Sequence, residues 1–317
     1  MSNTPIISIT TSTFAKFSTA PLDMLRDAGL HIRCNQLGRT LTEEEALQQL
    51  RGATGVIAGT EPLTRRVLTA LPDLRVISRC GTGLDSVDLE AAQVCGIRVR
   101  TTPDAPTLAV AELTLGMMLD LLRHVSRMDR EVRAGTWKKR MGSLLCGKRT
   151  GIIGMGRIGS TVARLCAAFG AHVAYADPSD ARGTGFPRMA LDDLLRWSEI
   201  LTLHCPLPTR HGASGVFPAP LLGRRELELL PHGALVLNLA RGGLIDEDAL
   251  YDLLCTEALG GAGLDVYRQE PYAGRLRMLP NVILTPHCAS YAREARIRME
   301  IEAVRNLLNA LAEYPHD

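Results

Sequence analysis

Thr150-Gly151-Ile152-Ile153-Gly154-Met155-Gly156-Arg157-Ile158-Gly159 is the stretch whose reading decides the fold. An apolar run of strand character enters Gly-x-Gly-x-x-Gly, and the pattern over 160–169 is helical. In such a strand–turn–helix unit the first glycine permits the tight turn and the second lets the backbone approach a pyrophosphate. The third lets the helix pack close to the strand, and the helix N-terminus faces the anion. Gly154, Gly156 and Gly159 fit these places, with Arg157 and Ile158 between them, so all five are candidate dinucleotide-binding residues. The next apolar run, 172–176, ends on Asp177. An acid about 20 residues beyond the glycines is placed to bind a ribose 2′-hydroxyl. The same charge repels a 2′-phosphate, and Pro178-Ser179 supplies no compensating arginine, so the expected cofactor is NAD rather than NADP. The glycine pattern alone is a weak signal; the flanking strand, helix and acid make it specific.

Outward from this point the chain alternates short apolar runs with helical ones. After 150–153 and 172–176, strands are expected at 200–204, 234–239, 261–265 and 282–284. Nearly all are continuously apolar, as a parallel sheet covered on both faces requires. In the first hundred residues strands are expected at 6–9, 30–33, 55–58, 74–77 and 97–99. Helices fall at 21–29, 64–70 and 86–93, and another opens at Thr42 with the capping-box pair Thr42 and Glu45. Strands separated by helices in this way imply βαβ units. Residues 107–135 read as one long helix. The final helix, 294–311, has no strand of its own and is expected to cross back onto the first domain. The expected domains are therefore 1–102 with 288–317, and 103–287.

Composition agrees with two globular domains. A chain of 317 residues exceeds the roughly 250–300 at which single cores stop growing. Lys+Arg 36 against Asp+Glu 34 leaves +2, too balanced to draw the chain to nucleic acid or a membrane surface. The eight cysteines are scattered without Cys-x-x-Cys, which argues against a zinc site or disulfide framework and suits a reducing cytoplasm. No metal is expected. Met1 to Pro5 lacks a signal peptide's basic and apolar regions, and the apolar stretch 107–122 is broken by Glu112 and Asp120 and too short to span a bilayer.

Three candidates for chemistry follow strand ends in the second half, where ligands of open α/β sheets bind: Arg241, Glu270 and His287. Hydride transfer at a 2-hydroxy acid needs a cation for the carboxylate, a base for the hydroxyl proton, and a group that tunes the base. Singly, Arg241 is equally a surface arginine, Glu270 a solvated loop acid, and His287 a helix-entry residue. Convergence on one sheet edge raises the functional reading. Gly81-Thr82-Gly83 leaves two readings open, an anion-binding turn or only the turn that βα geometry needs.

These residues resemble the D-isomer-specific 2-hydroxyacid dehydrogenases, and within them the 3-phosphoglycerate dehydrogenase branch. The likeness runs through 79–88, 111–114, Gly147-Lys148, 238–246, 263–267 with Glu270-Pro271, and Thr285-Pro286-His287. It implies an α/β chain of two βα domains with parallel sheets: a flavodoxin-like substrate domain and a Rossmann NAD-binding domain, with the active site in the cleft between them. It makes His287 the acid/base, Glu270 the carboxylate that orients it and raises its pKa, and Arg241 the carboxylate clamp that also polarises the carbonyl. Gly81, Thr82 and Gly83 would bind the substrate carboxylate through amides, and Asp265 would hold the nicotinamide carboxamide. The implied activity is NAD-dependent interconversion of a small D-2-hydroxy acid and its 2-oxo acid, with D-3-phosphoglycerate as one candidate substrate. A homodimer is implied through the helix from Thr107 and the segment around Trp137.

One departure bears on the substrate. Where phosphoglycerate dehydrogenases bring a basic residue to the phosphate, this chain reads Ala58-Gly59-Thr60-Glu61-Pro62. Lys138-Lys139-Arg140 either supplies that charge, from a partner subunit, or is a solvated basic turn. The alternatives are a glyoxylate/hydroxypyruvate reductase and a dehydrogenase of a phosphite-type anion. Formate enzymes of this family pair the histidine with glutamine, not glutamate. A non-enzyme alternative is an NAD-sensing, corepressor-like binding protein.

Overall fold

The computed structural model describes residues 4–179, 184–207 and 219–314, and the chain divides into two compact units. One comprises Met1–Pro106 with Ser290–Asp317, the other Thr107–Ala289.

The first unit is a five-stranded parallel sheet of β1 (Ile6–Ile9), β2 (His31–Cys34), β3 (Gly55–Ala58), β4 (Val76–Arg79) and β5 (Arg98–Arg100), in the order β2-β1-β3-β4-β5. Its connecting helices are α1 (Ala20–Asp27), α2 (Glu43–Leu50), α3 (Arg65–Thr69) and α4 (Leu89–Val94). Local chemistry sets their starts. Thr42 and Glu45 form a reciprocal capping box, Thr64 accepts from the Val67 amide, and Asp88 accepts from the Ala91 amide. The last helix of the chain, Arg293–Ala312, lies across β3, β4 and β5 of this sheet. It buries Met299, Ala303, Val304 and Leu307, and a Cβ on Gly55 would come within 2.8 Å of Leu307 Cδ1, so the helix packs close to β3 there. The Ser78 hydroxyl donates to the Ala303 carbonyl at 2.7 Å and ties helix to sheet.

The second unit is a six-stranded parallel sheet: β6 (Arg149–Ile153), β7 (His172–Ala176), β8 (Ile200–Leu203), β9 (Ala234–Asn238), β10 (Leu259–Leu264) and β11 (Val282–Leu284). The order is β11-β10-β9-β8-β6-β7. Beyond β7 a single parallel bridge, Tyr175 to Arg188, stands where a further strand would lie. Every residue of β8 and β9 is buried, which is why these runs are continuously apolar. The helix α5 (Thr107–Arg123) packs on α7 (Arg157–Ala168) on one face, in a layer with Met118, Val162 and Cys166. On the other face α8 (Leu191–Trp197) and α9 (Glu247–Cys255) cover Leu201, Val236 and Leu264.

The single helix expected over 107–135 is two. It breaks at His124, which takes the left-handed conformation (φ 56°, ψ 34°), and α6 (Val125–Arg133) follows. The physical reason lies on both sides of the break. The Asp120 carboxylate accepts the Ser126 amide at 2.7 Å and also bonds the Ser126 hydroxyl, so it caps the new helix. The buried positions of α5 end at Leu122, and α6 buries none of its residues, so no packing holds the two in line.

Among the described residues no helix is long and apolar enough to cross a membrane, and no cluster of three metal-ligating side chains occurs. All eight cysteines are free thiols.

Candidate active site

The glycine-rich turn leaves β6 at the point where strand order reverses, between β6 and its neighbours β7 and β8. That is where open α/β sheets bind ligands. Gly154 adopts φ +92°, and a Cβ on it would meet the His204 carbonyl carbon and oxygen at 2.7 Å. A Cβ on Gly159 would meet the Gly154 oxygen at 2.0 Å, so the helix sits too close for any side chain. Gly156 is different: nothing lies within 4 Å of a Cβ there, and no side chain caps the helix that begins after it. This open cradle, with first-turn amides facing it, fits a dinucleotide pyrophosphate. Arg157 and Ile158 form the first turn of α7. Asp177 leaves β7 and folds back over the turn, its Oδ2 accepting the Met155 amide at 2.7 Å and its Oδ1 the Ser179 amide at 2.7 Å. His204, at the end of β8, is held neutral: burial drives its pKa down to about 3, and its Nε2 sits 3.0 Å from the Thr202 hydroxyl.

Strand register brings the other candidates together. Asn238, Leu264 and Leu284 are successive partners across β9, β10 and β11, so those three strands release their loops side by side. Arg241 follows β9 in a turn shaped by Asn238. The Asn238 Oδ1 accepts the Ala240 amide at 3.1 Å, and its Nδ2 donates to the Arg241 carbonyl at 2.9 Å. Glu270 follows β10 and His287 follows β11, and His287 Nδ1 lies 2.8 Å from Glu270 Oε2. The carboxylate can only accept, so Nδ1 carries the proton and Nε2 faces away as the exchanging nitrogen. The second Glu270 oxygen accepts the Tyr267 amide at 3.1 Å, which fixes the carboxylate.

The turn that carries His287 is held from below. His287 has φ +51°, a left-handed conformation costly for a residue with a side chain. Asp265 is fully buried, and its carboxylate accepts the Thr285 hydroxyl at 2.6 Å, the Cys288 amide at 2.8 Å and the Ala289 amide at 2.9 Å. The Tyr267 hydroxyl adds a bond to the Thr285 carbonyl at 2.8 Å. Both oxygens of Asp265 are thus engaged by the 285–289 turn.

The electrostatics follow from this geometry. The hydrogen bond to Glu270 raises the His287 pKa; burial opposes the rise, the Glu270 and Asp265 charges add to it, and Arg241 lowers it. Burial pushes Glu270 upward. The hydrogen bond from His287 and the charges of His287 and Arg241 outweigh it and leave the carboxyl below its ordinary value. The two shifts favour the imidazolium–carboxylate form.

The Gly81-Thr82-Gly83 turn follows β4 in the other unit. The Gly81 amide donates to the Thr102 hydroxyl at 2.8 Å within that unit. The Arg79 guanidinium lies against the same turn, 2.8 Å from the place a Gly81 Cβ would occupy. Glu61 is buried at the neighbouring strand end, where its carboxylate bonds the Thr10 hydroxyl and accepts the Gly59 amide at 3.2 Å. Burial raises its pKa; bonds from Thr10 and Gly59 and the charge of Arg79 resist. Arg140 is paired with Glu131, its Nε 2.9 Å from Oε2, and Glu131 also meets Arg127 Nε at 3.4 Å.

Sequence reasoning missed Arg188. Its guanidinium donates to the Asp177 carbonyl at 2.7 and 3.0 Å and to the Pro178 carbonyl at 3.0 Å, which puts an arginine beside the residues read as lacking one. Arg188 stands 11 positions beyond Asp177, and only the bridge to Tyr175 brings them together.

The family model described as "D-isomer specific 2-hydroxyacid dehydrogenase, NAD binding domain" matches residues 115–289. The chain is 34% identical over 291 residues to a hydroxypyruvate reductase of Thermotoga maritima, covering 89% of each. It is 38% identical over 268 residues to a D-3-phosphoglycerate dehydrogenase of Methanocaldococcus jannaschii, covering 81% of this chain but 49% of that one, so it spans about half of that relative's length. The crystal structure of the TT0316 protein from Thermus thermophilus superposes with a TM-score of 0.87 at 36% identity, covering 97% of each chain.

Proposed function

The chain belongs to the D-isomer-specific 2-hydroxyacid dehydrogenases, NAD-dependent oxidoreductases, and from that premise we propose that His287, Glu270 and Arg241 carry the reaction on a small, unphosphorylated 2-oxo acid. The observation that carries the reading is the 2.8 Å bond from His287 Nδ1 to Glu270, on strand ends adjacent to the one that bears Arg241.

Gly154, Gly156, Arg157, Ile158, Gly159 and Asp177 would hold NAD, which when bound would supply or accept the hydride. In reduction, Nε2 of protonated His287 gives its proton to the substrate carbonyl oxygen while Glu270 stabilises the imidazolium. In oxidation, neutral His287 takes the hydroxyl proton at the same nitrogen. Arg241 holds the substrate carboxylate and stabilises charge developing on the reacting oxygen. Asp265 keeps the His287 turn in its strained shape, a role that stands beside the expected contact with the nicotinamide carboxamide.

Two observations favour an unphosphorylated substrate such as glyoxylate or hydroxypyruvate over 3-phosphohydroxypyruvate. The loop after β3 offers buried Glu61 instead of a cation, and Arg140 is engaged by Glu131. NADH-dependent turnover of the three compounds tests this. Hydroxypyruvate should match or exceed its phosphorylated form in kcat/KM. A strong preference for the phosphorylated compound, removed by neutralising Lys138 and Lys139, would reverse the assignment.

We further propose a homodimer formed through α5, α6 and the segment after them. Trp137 is 86% exposed and Met141 93%, with Val125, Val132 and Leu144 also exposed. Large apolar side chains left in water along one contiguous stretch mark an interaction surface. Light scattering at micromolar concentration should give twice the chain mass, and Trp137→Asp should halve it. A monomer mass for the wild type would end this reading.

A further inference from the structure

We propose that Arg188 sets how strictly the nucleotide site rejects a 2′-phosphate, acting as a cation fixed on the main-chain carbonyls of Asp177 and Pro178. This rests on the reading of Asp177 as the ribose ligand. An acid at the end of the second strand selects the 2′-hydroxyl, and a nearby arginine accommodates a 2′-phosphate. This chain carries both.

The arginine is placed by structure, not by chance exposure. Tyr175 donates its amide to the Pro187 carbonyl at 3.0 Å and its carbonyl accepts the Met189 amide at 2.8 Å, so Arg188 lies alongside the end of β7. Its Nε and Nη2 then donate to the Asp177 carbonyl at 3.0 and 2.7 Å, and Nη2 donates to the Pro178 carbonyl at 3.0 Å. Three bonds to main-chain oxygens hold an exposed guanidinium on the two residues that follow the ribose-binding strand. Nη1 takes no part in them, and carbonyls anchor the cation instead of the Asp177 carboxylate. Among the described residues each oxygen of that carboxylate accepts one amide, from Met155 or Ser179, and a carboxylate oxygen with one such bond has a second lone pair for a ribose hydroxyl. A guanidinium is the side chain best suited to a phosphate, through its planar pairs of N–H donors. With Asp177 present, a 2′-phosphate meets like charge and is disfavoured. With that charge removed, Arg188 remains in place to receive it.

The test compares NADH and NADPH binding, followed by cofactor fluorescence, for wild type, Asp177→Ala, Arg188→Ala and the double variant. Wild type should prefer NADH. Asp177→Ala should weaken NADH and tighten NADPH. Arg188→Ala should lower the NADPH-to-NADH affinity ratio about tenfold in either background, the size of a lost charge-assisted bond, and erase the gain made by Asp177→Ala. Arg188→Lys should restore part of the ratio, because the charge returns without the fork. If the double variant binds NADPH as tightly as Asp177→Ala does, the Arg188 proposal falls while the Asp177 assignment stands. If Asp177→Ala leaves NADH affinity unchanged, the underlying ribose reading falls and Arg188 with it.

Discussion

His287→Ala should lose roughly 10²–10⁴-fold in kcat, the range expected when a positioned acid/base is removed, while NADH binding stays within about twofold. The separation follows from the layout of the second unit. The nucleotide cradle is built on β6, β7 and α7, whereas His287 stands after β11 at the far edge of the same sheet. Alanine at 287 keeps the backbone tethers from Asp265 to the Cys288 and Ala289 amides, so the turn persists and only the proton-carrying ring is lost. Single-turnover reduction with saturating NADH measures the chemical step, and equilibrium titration measures cofactor binding. Near wild-type turnover in His287→Ala would remove the acid/base assignment and move the search to another strand exit.

Arg241→Ala has the second large effect, and it should appear in both kinetic constants. A guanidinium on the substrate carboxylate is worth a charge-assisted bond, so KM should rise about 10- to 100-fold. The same charge acts on the oxygen that becomes negative in the transition state, where losing one donor costs about 10²–10³ in kcat. Arg241→Lys keeps the charge without the fork and should recover part of kcat while leaving KM high. A rise in KM with kcat untouched would confine Arg241 to ground-state binding. A second consequence is electrostatic: Arg241 lowers the His287 pKa, so its removal should shift the falling limb of the reduction profile to higher pH.

Much of this was legible in the sequence, for identifiable reasons. The glycines at 154 and 159 are required because a Cβ would meet backbone at 2.7 and 2.0 Å, and that necessity leaves a visible spacing. Arg241, Glu270 and His287 each follow a continuous apolar run, and parallel register alone is enough to align the ends of β9, β10 and β11. What the sequence hid depends on residues far apart in the chain. The Gly81 amide is bonded to Thr102, 21 positions away, a partner that no local pattern announces. The three bonds that engage Asp265 come from 285–289, so a strand-end acid gives no local sign that it braces the histidine turn. The break at His124 turns on one Asp120 carboxylate capping Ser126, in a segment whose helical periodicity continues on both sides. Arg188 reaches the ribose end of β7 through one bridge, with no strand period to announce it.

The most direct test is the pair of pH–rate profiles, reduction and oxidation, for wild type and Glu270→Gln. Reduction consumes a proton, so the proposed acid/base role makes protonated His287 the active form in that direction and neutral His287 in the other. The Glu270 bond raises the His287 pKa above its ordinary value of about 6.5. In wild type the reduction rate should therefore hold at low pH and fall as pH rises through that elevated pKa, while the oxidation rate rises through it. Glutamine keeps the shape of the side chain but removes the charge that favours imidazolium, so both profiles should move to lower pH together. Profiles that run in the same direction for both reactions, or that stay where they were in Glu270→Gln, would contradict the account.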